Sequence, residues 1–514
     1  MRLPSFSVLV LLGCLGSGLM LGCSSSTDSA PSATEEPPPT EAAPSHPASI
    51  LVDGGSGDWD AVPLRHTDPE GDGEALDLGT LKVAHDAERL YLRLDVGTAI
   101  NLQEGNTLTL HLDTDANAST GASRRGLGAE VSWTFGERDG EVRTASGTTS
   151  IRHDALGLAT LPTVRSRVFE IALDRSATPG GTPLFPSDSI RLAFTGGGDL
   201  LPDASGGLAY AFSETTLPDR PAPTLDRADG AVRLVSYNAE RDAFLDDADR
   251  EGAYQRLLRA LDADVIGFQE LYDSRAEATR QHVAALMDGG STWYAEKTGL
   301  DLVLVSRYPI DATHTIAGYD DYASGAYLLD ATDALGTPLL VVLAHPPCCN
   351  YGDATPSRDE QRQITVDAIA AFLRDVQAGS APIDVPDGTP IVVAGDMNFV
   401  GSAQQPETVR TGEIVNTDRF GSSGAPDWDG SPLLDVNPRQ TGTSLHATWM
   451  GTGSSFPPGR LDYIYTADSA TRVSNAFTLR TPTLPESVLA AHGLQADDTT
   501  VASDHLPLVV DLLP

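Results

Sequence analysis

The sequence predicts a multidomain chain, with an all-β sandwich over residues 49–218 and an α/β domain over residues 231–514. Three observations predict this. Short segments with period-two alternation of apolar and polar residues recur through the first region. Apolar runs alternate with stretches of helical period through the second. Between them, residues 219–230 (DRPAPTLDRADG) have the proline-rich, polar composition of a linker.

Ahead of the sandwich, Arg2 precedes an uncharged run from Val8 to Gly22 that ends at Cys23. A basic start, a short apolar stretch and small residues describe an export signal, because about 20 apolar residues are needed to span a bilayer. Met20-Leu21-Gly22-Cys23 resembles the lipobox of bacterial lipoproteins, with Met20 where that family prefers Leu. The resemblance implies a signal peptide over 1–22, a lipidated Cys23 and a protein anchored to the bacterial cell envelope or cell surface. Residues 23–48 are rich in Ser, Pro, Ala and Glu and read as a tether.

In the sandwich region the alternating segments are Leu81 to His85, Leu90 to Val96, Thr107 to Leu112, Glu130 to Phe135, Val168 to Leu173 and Ile190 to Phe194. LYLRLDV (Leu90 to Val96) has the alternation of a strand with one buried face. Gly/Asp/Asn turns between such segments point to a β-sandwich. GSGDWDAVP (Gly55 to Pro63), KVAHDAERLYLRLDV and LDTDANASTG (Leu112 to Gly121) resemble a family 9 carbohydrate-binding module or a DOMON-like sandwich. The resemblance implies a glycan partner. Asp113-x-Asp115-x-Asn117 reads first as a turn built from Asx side chains. Its second reading is a Ca²⁺ loop, although Ala118 and Arg124 stand where an EF-hand has Gly and Glu. Trp59 and Trp133 are candidates to stack on sugars, or core residues.

In the C-terminal region, VRLVSY, DVIGF, LVLVS, PLLVVLA and PIVVAG are strand-like apolar runs. Tyr254, Leu257, Leu258 and Leu261 follow helical spacing. A second helix opens with the capping box Ser357-x-x-Glu360 and carries Ile364, Ala368, Phe372 and Val376. Polar residues punctuate the strand ends: Asn238, Glu270, His345, Asp396 with Asn398, Asp462, and Asp504 with His505. One such residue usually just meets water. Six strand ends of this kind, if the strands are neighbours, converge on an acidic rim that bears histidine. Carboxylate oxygens suit hard divalent cations, and a metal with an acid/base pair suits phosphoryl chemistry.

SYN (Ser236 to Asn238), QE (Gln269-Glu270), GDMN (Gly395 to Asn398), RLDYIY (Arg460 to Tyr465) and SDH (Ser503 to His505) occur in an order similar to that of the endonuclease/exonuclease/phosphatase (DNase I-like) superfamily. The resemblance covers 231–514 and implies a four-layer α/β sandwich with its site at one sheet edge. It implies Mg²⁺ or Mn²⁺ held by Glu270 and Asp504 with Asn238, and phosphate held by Asn238 and Asn398. It further implies that Asp396 activates water, that His505 is paired with Asp462, and that His345 assists the leaving group.

Cys348-Cys349 follows His345 closely, and a strained vicinal disulfide is the expectation for an exported chain. The charge narrows the function. There are 34 Lys+Arg against 72 Asp+Glu, a net charge of −38, and the only lysines are Lys82 and Lys297. Residues 231–514 hold about −22 of it. A generally basic nucleic-acid binder is excluded. A nuclease would rely on Arg241, Arg275, Arg358 and Arg362 for its groove, and SGAYLL (Ser324 to Leu329) is too strand-like for a membrane-inserting hairpin. The expected function is an exported, lipid-anchored, metal-dependent phosphodiesterase acting on nucleic acid or on a phospholipid or sphingomyelin. The alternatives are a phosphomonoesterase of small metabolites, or a non-catalytic glycan-binding surface lipoprotein. The sequence assigns no oligomeric state.

Overall fold

The computed structural model describes residues 43–514, apart from 219, 288–289, 350–354 and 452. The expected signal peptide, Cys23 and most of the tether lie outside the described residues. No helix among the described residues is long and apolar enough to cross a membrane.

All six expected segments of the first region contain strands: four lie within longer ones such as Arg89–Ile100 and Ser166–Asp174, while Thr107 to Leu112 becomes Thr109–Asp113 and Glu130 to Phe135 shortens to Val131–Thr134. They belong to two antiparallel sheets of five and seven strands. Leu81, Val83, Leu92 and Leu94 of one sheet share a core with Leu110, Leu112, Trp133 and Phe194 of the other. Alternation works here because every second side chain faces that core. The two tryptophans are core residues: Trp59 and Trp133 are each 1% exposed, so neither can stack on a sugar. Trp59 donates its indole N–H to buried Glu170 (2.6 Å).

The second region has two six-stranded sheets. One runs, in spatial order, Tyr294–Thr298, Leu302–Ser306, Val265–Gln269, Val232–Asn238, Leu508–Leu513 and Arg472–Thr478. The other runs Ile310–Tyr319, Tyr322–Leu329, Leu339–Leu343, Ile391–Asp396, Asp462–Thr466 and Leu434–Asp435. Leu234, Val265 and Val510 of the first meet Val341, Val392 and Ile464 of the second in a shared apolar layer. Helices Glu251–Leu261 and Ala276–Leu286 cover the outer face of the first sheet, and Arg358–Gln377 covers that of the second. The order is therefore helix, sheet, sheet, helix. The capping box at Ser357 and Glu360 forms in full.

Topology sets the rim. Val232–Asn238 lies parallel to Val265–Gln269, and Leu339–Leu343 lies parallel to Ile391–Asp396. Their carboxyl ends therefore share an edge. Asp462–Thr466 and Leu508–Leu513 run antiparallel to these pairs and bring their amino ends to the same edge. Gly395 is required there: its φ is +145°, and a Cβ would lie 1.9 Å from the Ala344 carbonyl.

The sandwich and the α/β region cluster as one compact unit. Leu445 of the α/β region packs into the apolar cluster of Ile50, Val52, Trp59 and Tyr91. Val52 N–H donates to Ser444 O (2.9 Å), and His446 N–H donates to Val52 O (3.0 Å). Leu225, in the expected linker, is buried with the helices of the first sheet.

Candidate active site

Asp396 ends its strand 2% exposed and faces Asp462 across the ladder. Its Oδ2 lies 3.6 Å from His345 Nε2 and 3.6 Å from His505 Nε2. Each imidazole is backed by another carboxylate. His505 Nδ1 lies 2.9 Å from Asp462 Oδ2, and His345 Nδ1 lies 2.5 Å from Asp301 Oδ2. A carboxylate on Nδ1 orients the ring and favours its charged form. Burial pushes both imidazoles down, but the carboxylates outweigh it. Asp301 with Asp396 raises His345 to about 9, and Asp462 with Asp396 raises His505 to about 10. Burial raises Asp396 to about 6 against the opposing pull of His505.

Glu270 follows its strand in a left-handed conformation, φ +64°. Its Oε1 lies 4.0 Å from His345 Nε2, and Arg241 N–H donates to its Oε2 (2.9 Å). Asp242 braces this turn from below. Its carboxylate accepts from Tyr272, Asp273 and Ser274 N–H.

Asn238 lies between two of these carboxylates. Its amide donates to Glu270 Oε1 (3.1 Å) and Asp396 Oδ2 (3.0 Å), and its carbonyl accepts from Glu240 N–H (3.0 Å). Its N–H groups hold the two carboxylates together, and its carbonyl oxygen keeps a second lone pair. Asn398 donates one amide hydrogen to Pro346 O (3.1 Å), which leaves one for a phosphate. Asp504 Oδ2 accepts the Trp449 indole N–H (2.8 Å), and its charge acts on His505.

Glu270, His345 and Asp396 each offer a ligand atom, all within 4.8 Å of one another, and so do Asp396, Asp462 and His505. Two to three carboxylates converging beside imidazoles whose far nitrogens are carboxylate-bound is a donor set that fits a hard divalent cation. Glu270 and Asp396 are the residues that would hold it, with the protonated His345 beside them.

Three site residues carry no signal in strand-end reasoning. Asp301 precedes its strand in GLDLVLVS and looks like a turn residue, yet it orients His345. Thr448 donates to Asp462 Oδ2 (2.6 Å) and accepts from Leu461 and Asp462 N–H. Tyr272, 36% exposed, stands at the mouth, its phenol pushed up by burial and then by the Glu270 and Asp301 charges.

One other expectation changes. Cys348 and Cys349 form no disulfide: Cys349 Sγ–H donates to Cys348 Sγ at 2.9 Å, where a disulfide needs about 2.05 Å. The Asp113–Asn117 segment forms the turn expected first: Asn117 N–H donates to Asp113 Oδ1 (2.9 Å) and Asp115 Oδ1 (3.0 Å), and its side-chain carbonyl accepts from Ser119. Asp113, Asp115 and Glu130 also offer ligand atoms within 4.8 Å of one another.

The chain belongs to the endonuclease/exonuclease/phosphatase family: the family's model matches residues 235–505, which include every pocket residue named above. Among solved structures it is similar to a humanized TDP2 of D. rerio (14% identity, 56% of this chain and 100% of that one, TM-score 0.35). It is also similar to the catalytic domain of human Nocturnin (16%, 56% and 96%, 0.34). A third is sphingomyelinase C of Streptomyces griseocarneus (15%, 55% and 99%, 0.33). No curated protein matches the chain.

Proposed function

We propose that this protein is a divalent-metal-dependent phosphoesterase that hydrolyses phosphodiesters, exported and anchored through a lipid on Cys23. The observation that carries the reading is the pair of carboxylate-backed imidazoles, His345 and His505, directed at one buried carboxylate oxygen of Asp396. Phosphodiester hydrolysis needs an acid for the leaving oxygen and donors for the phosphoryl oxygens. His345, protonated and held by Asp301, is placed to give its Nε2 proton to the leaving oxygen. His505, held by Asp462, donates from Nε2 to a phosphoryl oxygen. Asp396, between them, accepts a proton from the attacking water. Asn238 keeps Asp396 and Glu270 in register. When bound at Glu270 and Asp396, a divalent cation supplies charge that neutralises the phosphate oxygens.

The acidic surface weighs against a polynucleotide substrate. So does Arg362, one of the four arginines a nucleic-acid groove would need. It is 0% exposed and donates to Pro347 O (3.0 Å) and Cys349 O (2.8 Å) beneath the His345 loop. The reading that remains is a phospholipid or sphingomyelin-type phosphodiesterase ahead of a nuclease.

The test is hydrolysis of bis(p-nitrophenyl) phosphate with Mg²⁺, with chelator, and by Glu270→Ala and His505→Ala. Activity that survives chelation, or wild type no faster than the variants, overturns the reading. Sphingomyelin, phosphatidylinositol, duplex DNA, RNA and small phosphomonoesters then rank the substrates.

A further inference from the structure

A second carboxylate cluster lies in the sandwich, and the phosphoesterase chemistry does not use it. The loop between strands Leu64–Thr67 and Leu78–His85 reads Asp68-Pro69-Glu70-Gly71-Asp72-Gly73, with acids at alternate positions followed by glycine. This is the spacing with which a loop wraps oxygen ligands around a cation, with glycine at the sharp turn. Gly71 has φ +87°, and Asp77 Oδ1 accepts the N–H of Gly71 (2.9 Å), which closes the loop on itself.

Asp68, Asp72 and Asp199 offer ligand oxygens that all lie within 4.8 Å of one another. Asp68 and Asp72 come from the loop of the five-stranded sheet. Asp199 begins a strand of the seven-stranded sheet, and its Oδ2 accepts the Leu78 N–H (2.5 Å). The Asp68 side chain is 0% exposed. Its Oδ1 lies 3.3 Å from His66 Nε2, and its Oδ2 is buried without any hydrogen-bond partner. His66 is a poor counter-ion, because burial and then Arg65 hold it below its ordinary value. Among the described residues, no Lys or Arg forms an ion pair with Asp68, Asp72 or Asp199. A buried carboxylate with an unused oxygen, among other carboxylates, is costly unless a cation completes it.

We propose that Asp68, Asp72 and Asp199 form a binding site for a hard divalent cation of the Ca²⁺ class, which ties the 68–77 loop of one sheet to the edge of the other. Its ligands are oxygens from two sheets and a flexible glycine-bearing loop. That suits the irregular coordination of Ca²⁺ better than the strict octahedron of Mg²⁺. A cation bound only by the folded sandwich stabilises it by mass action.

The test uses the full chain carrying Glu270→Gln, so that Ca²⁺ in the phosphoesterase pocket does not enter the reading. After chelation and dialysis, Ca²⁺ alone is added, and binding is followed by calorimetry and thermal melting. The expected result is one Ca²⁺ equivalent with a rise in Tm, retained in Asp115→Asn. In Asp72→Asn, whose exposed side chain leaves the fold intact, its affinity falls at least tenfold. In Asp68→Asn the Ca²⁺-dependent rise disappears, while the chelated protein melts no lower than its parent, because an unpaired buried charge has been removed. A Ca²⁺ equivalent of unchanged affinity in both Asp68→Asn and Asp72→Asn overturns the proposal. So does a Ca²⁺ equivalent lost only in Asp115→Asn, or no uptake at all.

Discussion

Asp301 holds His345 from behind, Oδ2 to Nδ1 at 2.5 Å, as Asp462 holds His505 on the opposite side of Asp396 at 2.9 Å. The pocket therefore has two similar halves, one from each side of the strand end at Asp396. Asp301 itself stays below the usual carboxylate range, because the His345 charge outweighs the upward push of its burial.

Asp301→Asn keeps the shape but removes that charge. We expect kcat to fall by about 10²-fold, within the range for a mispositioned general acid. The alkaline limb of the pH–rate profile moves to lower pH, since His345 loses its main source of upward shift. An unchanged limb would show that His345 does not supply the proton.

The same two imidazoles make the metal-free protein pH-sensitive. Each has a folded value, about 9 and about 10, above its unfolded value of about 6.5. The folded state thus binds protons more tightly, and the stabilisation is complete below pH 6.5 and lost as pH rises through 9 to 10. Thermal melts in chelator across this window show the decline, and Asp301→Asn flattens the part that belongs to His345.

Thr163 links the sandwich to the pocket. Its hydroxyl lies 2.8 Å from Phe399 O and 3.0 Å from Arg460 O, on the segments that carry Asn398 and Asp462. Arg165 N–H donates to Gly401 O (2.7 Å) beside it. Thr163→Val leaves these carbonyls without their donor at a cost of about 1–2 kcal/mol. It lowers kcat about tenfold with little change in KM. Thr163→Ser, which retains the hydroxyl, restores the rate.

Arg362 bonds to the Pro347 and Cys349 carbonyls and to Asp359 from a fully buried position. Arg362→Met strands these acceptors and leaves Asp359 without its cation, a loss of about 3 kcal/mol. Urea unfolding measures that loss. The activity falls with it, because the 346–349 loop also receives the Asn398 amide.

The linear chain determined its strand ends. Buried strands must be apolar along their length, so Asn238, Glu270, His345, Asp396, Asp462 and His505 stood out where apolar runs stopped. Alternation likewise located six sandwich strands, and Ser357 with Glu360 located a helix start. These are local signals, carried by a few adjacent residues. Asp301, Thr448 and Tyr272 were not legible, since each lies beside an ordinary turn or loop and meets its partner only after two sheets stack. Trp59 and Trp133 went the same way: an aromatic in an alternating strand faces core or solvent according to which side the second sheet covers. Tertiary structure also placed Asn238. Its type and position were readable, but that its N–H groups bridge Glu270 and Asp396 depends on strands 158 residues apart in sequence. Sequence thus determined which groups stand at the rim, because burial constrains each strand by itself. Only the folded chain decided which groups face one another, because that depends on how the strands are paired and the sheets packed.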